Sequence, residues 1–310
     1  MESLFLQTAP PLDPAWLAFE EESGLNKPHQ ELPIAEHQVA YAAECRSLNA
    51  KMLAPGARDH HLSLNVAKTE FTVPSAIASP SVDEANCYQI PVIRYQHAAT
   101  SSAGDSAAAG SQAEEQPDVT QDSLSDCLSV LNYILNQHRP DGNNHKLIIA
   151  GSSSGGQLVG LLSQHPCALG RIHGVLLRCP VTSDAFSGLD PYVPLRFRLL
   201  HTSAWDPSFW NSLLGQMKRG VPRDGLERMP LEADETILKT LPRTWIQLCT
   251  NDSLYSDGLC YAKALEEVGV EVKVDVVRGW PHTFWLKAPG LERALGAEEE
   301  MVRGLGWLLG

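Results

Sequence analysis

The stretch Leu147-Ile148-Ile149-Ala150-Gly151-Ser152-Ser153-Ser154-Gly155-Gly156-Gln157-Leu158 constrains the chain most. An apolar run ends in a turn of small residues and a helical pattern begins at once, so the order is strand, sharp turn, helix. The turn fits Gly-x-Ser-x-Gly with Ser153 at its centre. Glycines at 151 and 155 leave room for a strained backbone that holds a serine hydroxyl above the end of a sheet and against a helix N-terminus. A small-residue turn also matches this pattern by chance, so the assignment depends on partners elsewhere in the chain.

The surrounding pattern supplies them. A 3.6-residue period over 120–138 puts Leu124, Leu128, Leu131 and Leu135 on one helical face. Buried strands are predicted at 88–95, 147–151, 172–181 and 245–249, with shorter β-like runs at 62–66 and 69–73. A helix over 257–269, a partly exposed strand over 270–277 and a last helix over 291–309 follow. Strands alternating with helices imply an α/β fold with a mostly parallel sheet covered on both faces, whose chemistry sits beyond the carboxyl ends of the strands. Ser153, Asp252 and His282 each fall just past such an end.

Those three side chains suit one task. A serine hydroxyl needs a base to take its proton, and an imidazole suits that role when an acceptor holds its other ring nitrogen. The order Ser, Asp, His along the chain differs from that of the chymotrypsin and subtilisin folds. Taken singly, Asp252 also reads as a turn residue and His282 as an ordinary buried or surface histidine. Asp257 competes with Asp252, and the expectation is that it caps the following helix.

The rest of the chain is read as a lid and a core. Asp13-Pro14 starts a helix that ends at Gly24, and a second amphipathic pattern runs over 36–52, so residues 1–60 are expected to be N-terminal lid helices. Residues 61–182 and 236–310 form the expected core. The Pro- and Trp-containing stretch 183–235 is the expected inserted lid segment, with Trp205, Phe209 and Trp210 as candidates for an apolar pocket wall. Residues 100–116 are Ser, Ala, Gly and acidic residues without periodicity, a loop or disordered stretch.

Composition narrows the function class. A formal net charge of −13 over 310 residues argues against nucleic acid or an anionic membrane as partner. Seven cysteines without Cys-x-x-Cys spacing, Cys179 and Cys249 among them in apolar runs, read as reduced core thiols rather than a disulfide framework or a zinc site. A cytoplasmic location follows as an expectation, since no stretch approaches the length of a membrane span.

At these residues the chain resembles the hormone-sensitive-lipase-like branch of the α/β-hydrolase fold. Gly151-Ser152-Ser153-Ser154-Gly155-Gly156 is similar to that family's Gly-Asp-Ser-Ala-Gly-Gly, Asn251 to Gly258 to its Asp-x-Leu-x-Asp-x-Gly or close variants, and Gly279 to Phe284 to its Gly-x-x-His-x-Phe. Cys179-Pro180-Val181 resembles its strand-end Ser-Pro. The resemblance implies a carboxylic ester hydrolase without cofactor or metal, with Ser153 as nucleophile, Asp252 as orienting carboxylate and His282 as base. Its oxyanion donors are expected at the Ser154 N–H and around Ala98 and Ala99, with His97 beside the substrate. Where the family carries His-Gly-Gly-Gly, this chain carries His97-Ala98-Ala99-Thr100. The family's further strand and Tyr-Arg-Leu-Ala-Pro-Glu-like segment are replaced by the Ser/Ala/Gly stretch.

Three readings stay open. The first is hydrolysis of a small or mid-sized ester or lactone. The second is condensation, cyclisation or isomerisation of a carbonyl-containing metabolite, with the His282-Asp252 pair as acid and base, as in specialised metabolism. The third is a non-catalytic, degenerate hydrolase that binds a small apolar ligand or a partner, as a receptor or scaffold. The expected partner is a small molecule with an ester or other carbonyl. The oligomeric state is open, a homodimer included.

Overall fold

The computed structural model describes residues 1–25, 27, 34–75, 87–97, 119–137, 146–210 and 219–310. In chain order these carry α1 (Pro14–Ser23), α2 (Ile34–Leu53), α3 (His60–Ser63), β1 (Val66–Pro74), β2 (Gln89–His97), α4 (Val119–Gln137), β3 (Ile148–Ser152), α5 (Ser154–Ser163) and β4 (Gly174–Arg178). A run of short turns follows, with α6 (Leu189–Tyr192) and α7 (Glu235–Leu238), and then β5 (Thr244–Asn251), α8 (Tyr255–Glu267), β6 (Val272–Pro281), α9 (Phe284–Lys287) and α10 (Glu292–Leu309). The expected loop or disordered stretch 100–116 lies outside the described residues. Residues 62–66 differ from the sequence reading. His60–Ser63 is a single helical turn, closed by the Leu64 N–H donating to the His61 carbonyl, and the strand begins only at Val66.

The chain gathers into two compact units, Met1–Asn26 with Gln116–Gly310, and Lys27–Glu115. In the second, β1 and β2 pair antiparallel from Val66 opposite His97 to Pro74 opposite Gln89.

The first unit holds a four-stranded parallel sheet in the order β3-β4-β5-β6. Alternation along its strands separates two layers, because successive side chains point to opposite faces. Leu177, Ile246 and Leu248 join Val159, Leu162, Leu259 and Leu265 in a core on the α5 and α8 side. Leu176 and Trp245 face α10 through Leu308. Gly304 makes that approach possible, since a Cβ there would sit 2.5 Å from the Trp245 ring. Further along the same face Cys249, Val277, Trp280, Phe284 and Trp285 pack with Trp16, Ala294 and Ala297.

The N-terminal stretch is stitched to this unit by its own backbone. Leu4 O accepts from the Tyr255 hydroxyl at 2.7 Å, Leu6 O from Thr202 Oγ1 at 2.6 Å, and Pro10 O from Asn251 Nδ2 at 2.7 Å. Asp13 then caps α1 by accepting from the Ala15 N–H at 2.8 Å. No helix among the described residues is long and apolar enough to cross a membrane.

Candidate active site

The turn between β3 and α5 adopts the strained geometry that its sequence suggests. Ser153 has φ 56° and ψ −123°, a region that L-residues enter only when their surroundings impose it. Two main-chain bonds impose it here: the Ser153 N–H donates to Arg178 O at 2.9 Å and the Val181 N–H donates to Ser153 O at 3.3 Å. Gly151 is obligatory, because a Cβ on it would lie 2.2 Å from Gly155 O. Gly155 is not, because a Cβ there would meet nothing within 4 Å.

The neighbouring strands deliver the other two side chains. Asp252 is the first residue after β5, and its Oδ1 accepts from the Leu254 N–H at 2.9 Å, which fixes the carboxylate. His282 is the first residue after β6, and Thr283 at φ 45° turns the chain sharply behind it. A register irregularity between Cys249 and Asn251 sets Asn251 opposite Pro281 and so brings the two strand ends level. The result is a continuous chain: the Ser153 hydroxyl donates to His282 Nε2 at 2.9 Å, and His282 Nδ1–H donates to Asp252 Oδ2 at 2.7 Å. Asp252 and His282 are buried, while Ser153 is half-buried. Burial disfavours the imidazolium, but the Asp252 carboxylate and the Cys179 sulfur outweigh it and hold the His282 pKa above the ordinary histidine value.

A fourth group, which sequence reasoning took for a core thiol, sits behind this pair. Cys179 follows β4, is fully buried and has φ 43°. Its sulfur, a carboxylate oxygen of Asp252 and a ring nitrogen of His282 all lie within 4.8 Å of one another. Burial works to raise the Cys179 pKa, yet the neighbouring Cys249 and His282 outweigh it and hold the thiol below its usual value. Cys249, the less favoured of the two sulfurs, is pushed up by burial and by Cys179. The expected strand 172–181 contains Cys179, but β4 ends at Arg178, and that shorter strand puts Cys179 just past a parallel strand end as well.

The remaining candidates are placed as follows. Ser154 opens α5 at the exposed end of the turn. Ala98 and Ala99 lie outside the described residues, and His97 ends β2. Phe209 is buried in the core and stacks on Tyr255 with ring centroids 6.1 Å apart. Trp210 packs against the same core and donates Nε1–H to Ser203 O at 3.0 Å, whereas Trp205 is 51% exposed. Asp257 does not cap α8. Its carboxylate accepts from the Thr182 and Ser183 N–H groups at 2.9 and 3.2 Å, from Ser183 Oγ at 2.6 Å and from His201 Nε2 at 2.6 Å. A buried carboxylate with four donors pointed at it is better satisfied there than at an exposed helix end.

A family model described as alpha/beta hydrolase fold matches residues 120–286, more than half of the chain and all three of Ser153, Asp252 and His282. The chain belongs to this family. Among curated relatives, this alpha/beta hydrolase is 42% identical to Neutral cholesterol ester hydrolase 1 of Bos taurus over 65 residues, 18% of this chain and 16% of that one. It is 27% identical to Versiconal hemiacetal acetate esterase of Dothistroma septosporum over 188 residues, 54% of this chain and 52% of that one. The matched segments span about a fifth or less of the length of the first curated relatives. In fold, the hydrolase resembles Vibralactone Cyclase with TM-score 0.63 at 18% identity, covering 98% of this chain and 96% of that one. It also resembles brefeldin A esterase, described as a bacterial homologue of human hormone sensitive lipase, with TM-score 0.57 at 17% identity, covering 97% and 98%. With the family match, these relatives bear out the resemblance read from the three motifs.

Proposed function

We propose that this chain is a serine hydrolase that cleaves a small or mid-sized carboxylic ester or lactone. The observation that carries the reading is the unbroken hydrogen-bond chain from the Ser153 hydroxyl through both nitrogens of His282 to Asp252. As His282 Nε2 takes the hydroxyl proton, Ser153 Oγ attacks the acyl carbon, and Asp252 stabilises the imidazolium that forms. The oxyanion is met by the Ser154 N–H at the start of α5, where the unpaired amides of a helix N-terminus favour negative charge. The imidazolium returns its proton to the departing alkoxide, and water, deprotonated by the same nitrogen, then releases the acid. The stretch 183–235 is proposed as the inserted lid, with Trp205 offering apolar surface while Phe209 and Trp210 are committed to packing. Seven free thiols support the proposed cytoplasmic location.

Labelling by a fluorophosphonate, read by intact mass, tests the reading alongside turnover of short-chain p-nitrophenyl esters. Stoichiometric labelling that disappears in Ser153→Ala and His282→Ala supports it. A folded wild-type chain that neither labels nor turns over ester removes it.

One sequence observation favours the second reading, proton transfer by His282 and Asp252 in a cyclisation or isomerisation: Ala98-Ala99-Thr100 stands where the resembling family carries three glycines. A His282-dependent reaction that tolerates Ser153→Ala separates it from hydrolysis.

A further inference from the structure

We propose that Cys179 is a positioning residue of the proton relay: its sulfur is a second polar group beside Asp252 at the His282 imidazolium, and it sets the pH at which His282 becomes a working base. The inference rests on the reading of Ser153, His282 and Asp252 as the catalytic group.

Three observations converge on it. The sulfur, a carboxylate oxygen of Asp252 and a ring nitrogen of His282 all lie within 4.8 Å of one another. It cannot swing away, because Cys179 is fully buried, enclosed among Trp16, Val277, Trp280 and Phe284, and anchored by its N–H donating to Gln247 O at 2.8 Å. Its backbone is held at φ 43°, a conformation that a residue with a Cβ adopts only under constraint. In such an apolar enclosure an acceptor a few ångströms from a positive ring is weakly screened, so it changes proton affinity far more than it would at a surface.

The same geometry decides between this role and metal binding. Cysteine, aspartate and histidine together make a zinc-like donor set, but Nδ1 and Oδ2 are in direct contact at 2.7 Å. Ligand atoms that share a zinc ion at about 2.0–2.3 Å stand farther apart than that, so the pair would first have to open. The charged and titratable groups around Cys179 are Cys249 from β5, Asp252 after β5 and His282 after β6. Arg178 precedes Cys179 on β4, and its charge acts on Cys249. Two buried thiols beside a carboxylate and an imidazole make a set of groups whose titrations are linked.

The sign follows. His282 acts as a base only when neutral, so an acceptor that stabilises its imidazolium moves the acid limb of activity to higher pH. Removing that acceptor lowers the limb. A polar group at this range, unscreened by solvent, shifts a pKa by about 1 unit. At a pH one unit below the wild-type midpoint, a one-unit fall raises the neutral fraction of His282 about fivefold.

The test records the pH dependence of kcat/KM on p-nitrophenyl acetate and, independently, the titration of His282 in 15N-histidine spectra assigned with His282→Ala. Wild type, Cys179→Ala and Cys179→Ser are compared, with thermal melting to establish that each is folded. The expected result is a midpoint lower by about 1 unit in Cys179→Ala. Cys179→Ser keeps a neutral acceptor and falls between the two. An unchanged His282 midpoint in folded Cys179→Ala overturns the proposal. If that variant does not fold, an unchanged midpoint in Cys179→Ser does so. A midpoint that moves in a chain without ester turnover keeps the role of Cys179 and removes the hydrolase reading. Turnover with an unmoved midpoint does the reverse.

Discussion

The two glycines of the Gly-x-Ser-x-Gly turn should behave in opposite ways when each is changed to alanine. In Gly151→Ala the new methyl would sit 2.2 Å from Gly155 O, 2.5 Å from Gly155 C and 2.8 Å from Gly156 N. Comfortable contacts to carbon lie near 3.5–4.0 Å, so about 1 Å of movement is needed. Every obstructing atom is backbone, and no rotamer change relieves the clash. Overpacking of this kind costs about 1–3 kcal/mol. The atoms that must move are those that hold Ser153 against His282, and a displacement of about 1 Å at a reacting group can cost about 100-fold in rate. Gly155→Ala meets nothing within 4 Å and lies in the first turn of α5, where alanine gains up to about 1 kcal/mol over glycine. Urea unfolding of the two variants, with the rate of fluorophosphonate labelling for Gly151→Ala, checks both limbs. Wild-type stability and labelling in Gly151→Ala, or a loss of more than 1 kcal/mol in Gly155→Ala, would refute the steric account of the turn.

Asp252→Asn keeps the shape of the site but removes the carboxylate that holds His282 Nδ1 protonated. Ester turnover should fall by about 10⁴-fold with little change in melting temperature, and a fall of less than tenfold would show that Asp252 does not orient the base. Asp257→Ala strands four donors at once, in a site where neither His201 nor Asp257 sees solvent. Stability should drop by about 3–5 kcal/mol by urea titration, and a loss under 1 kcal/mol would mean that the network is dispensable.

Much of this was legible in the chain because it is periodic or local. The helical face of Leu124, Leu128, Leu131 and Leu135 gave α4 nearly to the residue, and Asp13-Pro14 with Gly24 marked both ends of α1. Ser153, Asp252 and His282 were singled out by a positional rule, that parallel strands present chemistry at their carboxyl ends, and their side chains are hydrogen-bonded to one another. What the chain hid depends on distance in space. Asp257 looks like a helix cap until the Thr182, Ser183 and His201 donors arrive from far along the sequence. Phe209 reads as a pocket aromatic until Tyr255 is seen beneath it. Gly155 fits the same motif as Gly151, yet only the close return of the chain onto Gly151 makes one of them irreplaceable. Cys179 passed as a core thiol because nothing in its own neighbourhood names the imidazole beside it.

Arg178 ties these parts together. Its carbonyl holds the Ser153 amide at 2.9 Å, while its guanidinium lies 3.7 Å from the centre of the Trp285 ring and bonds Gln247 Oε1 at 2.7 Å and Glu298 at 2.8 Å. Trp285 belongs to α9, the turn that follows His282, and Glu298 to α10. One residue therefore links the backbone of the serine, the helix beside the histidine and a helix that enters late in the chain. A disturbance of α10 is relayed, through that single residue, to the turn that carries Ser153, far back along the chain.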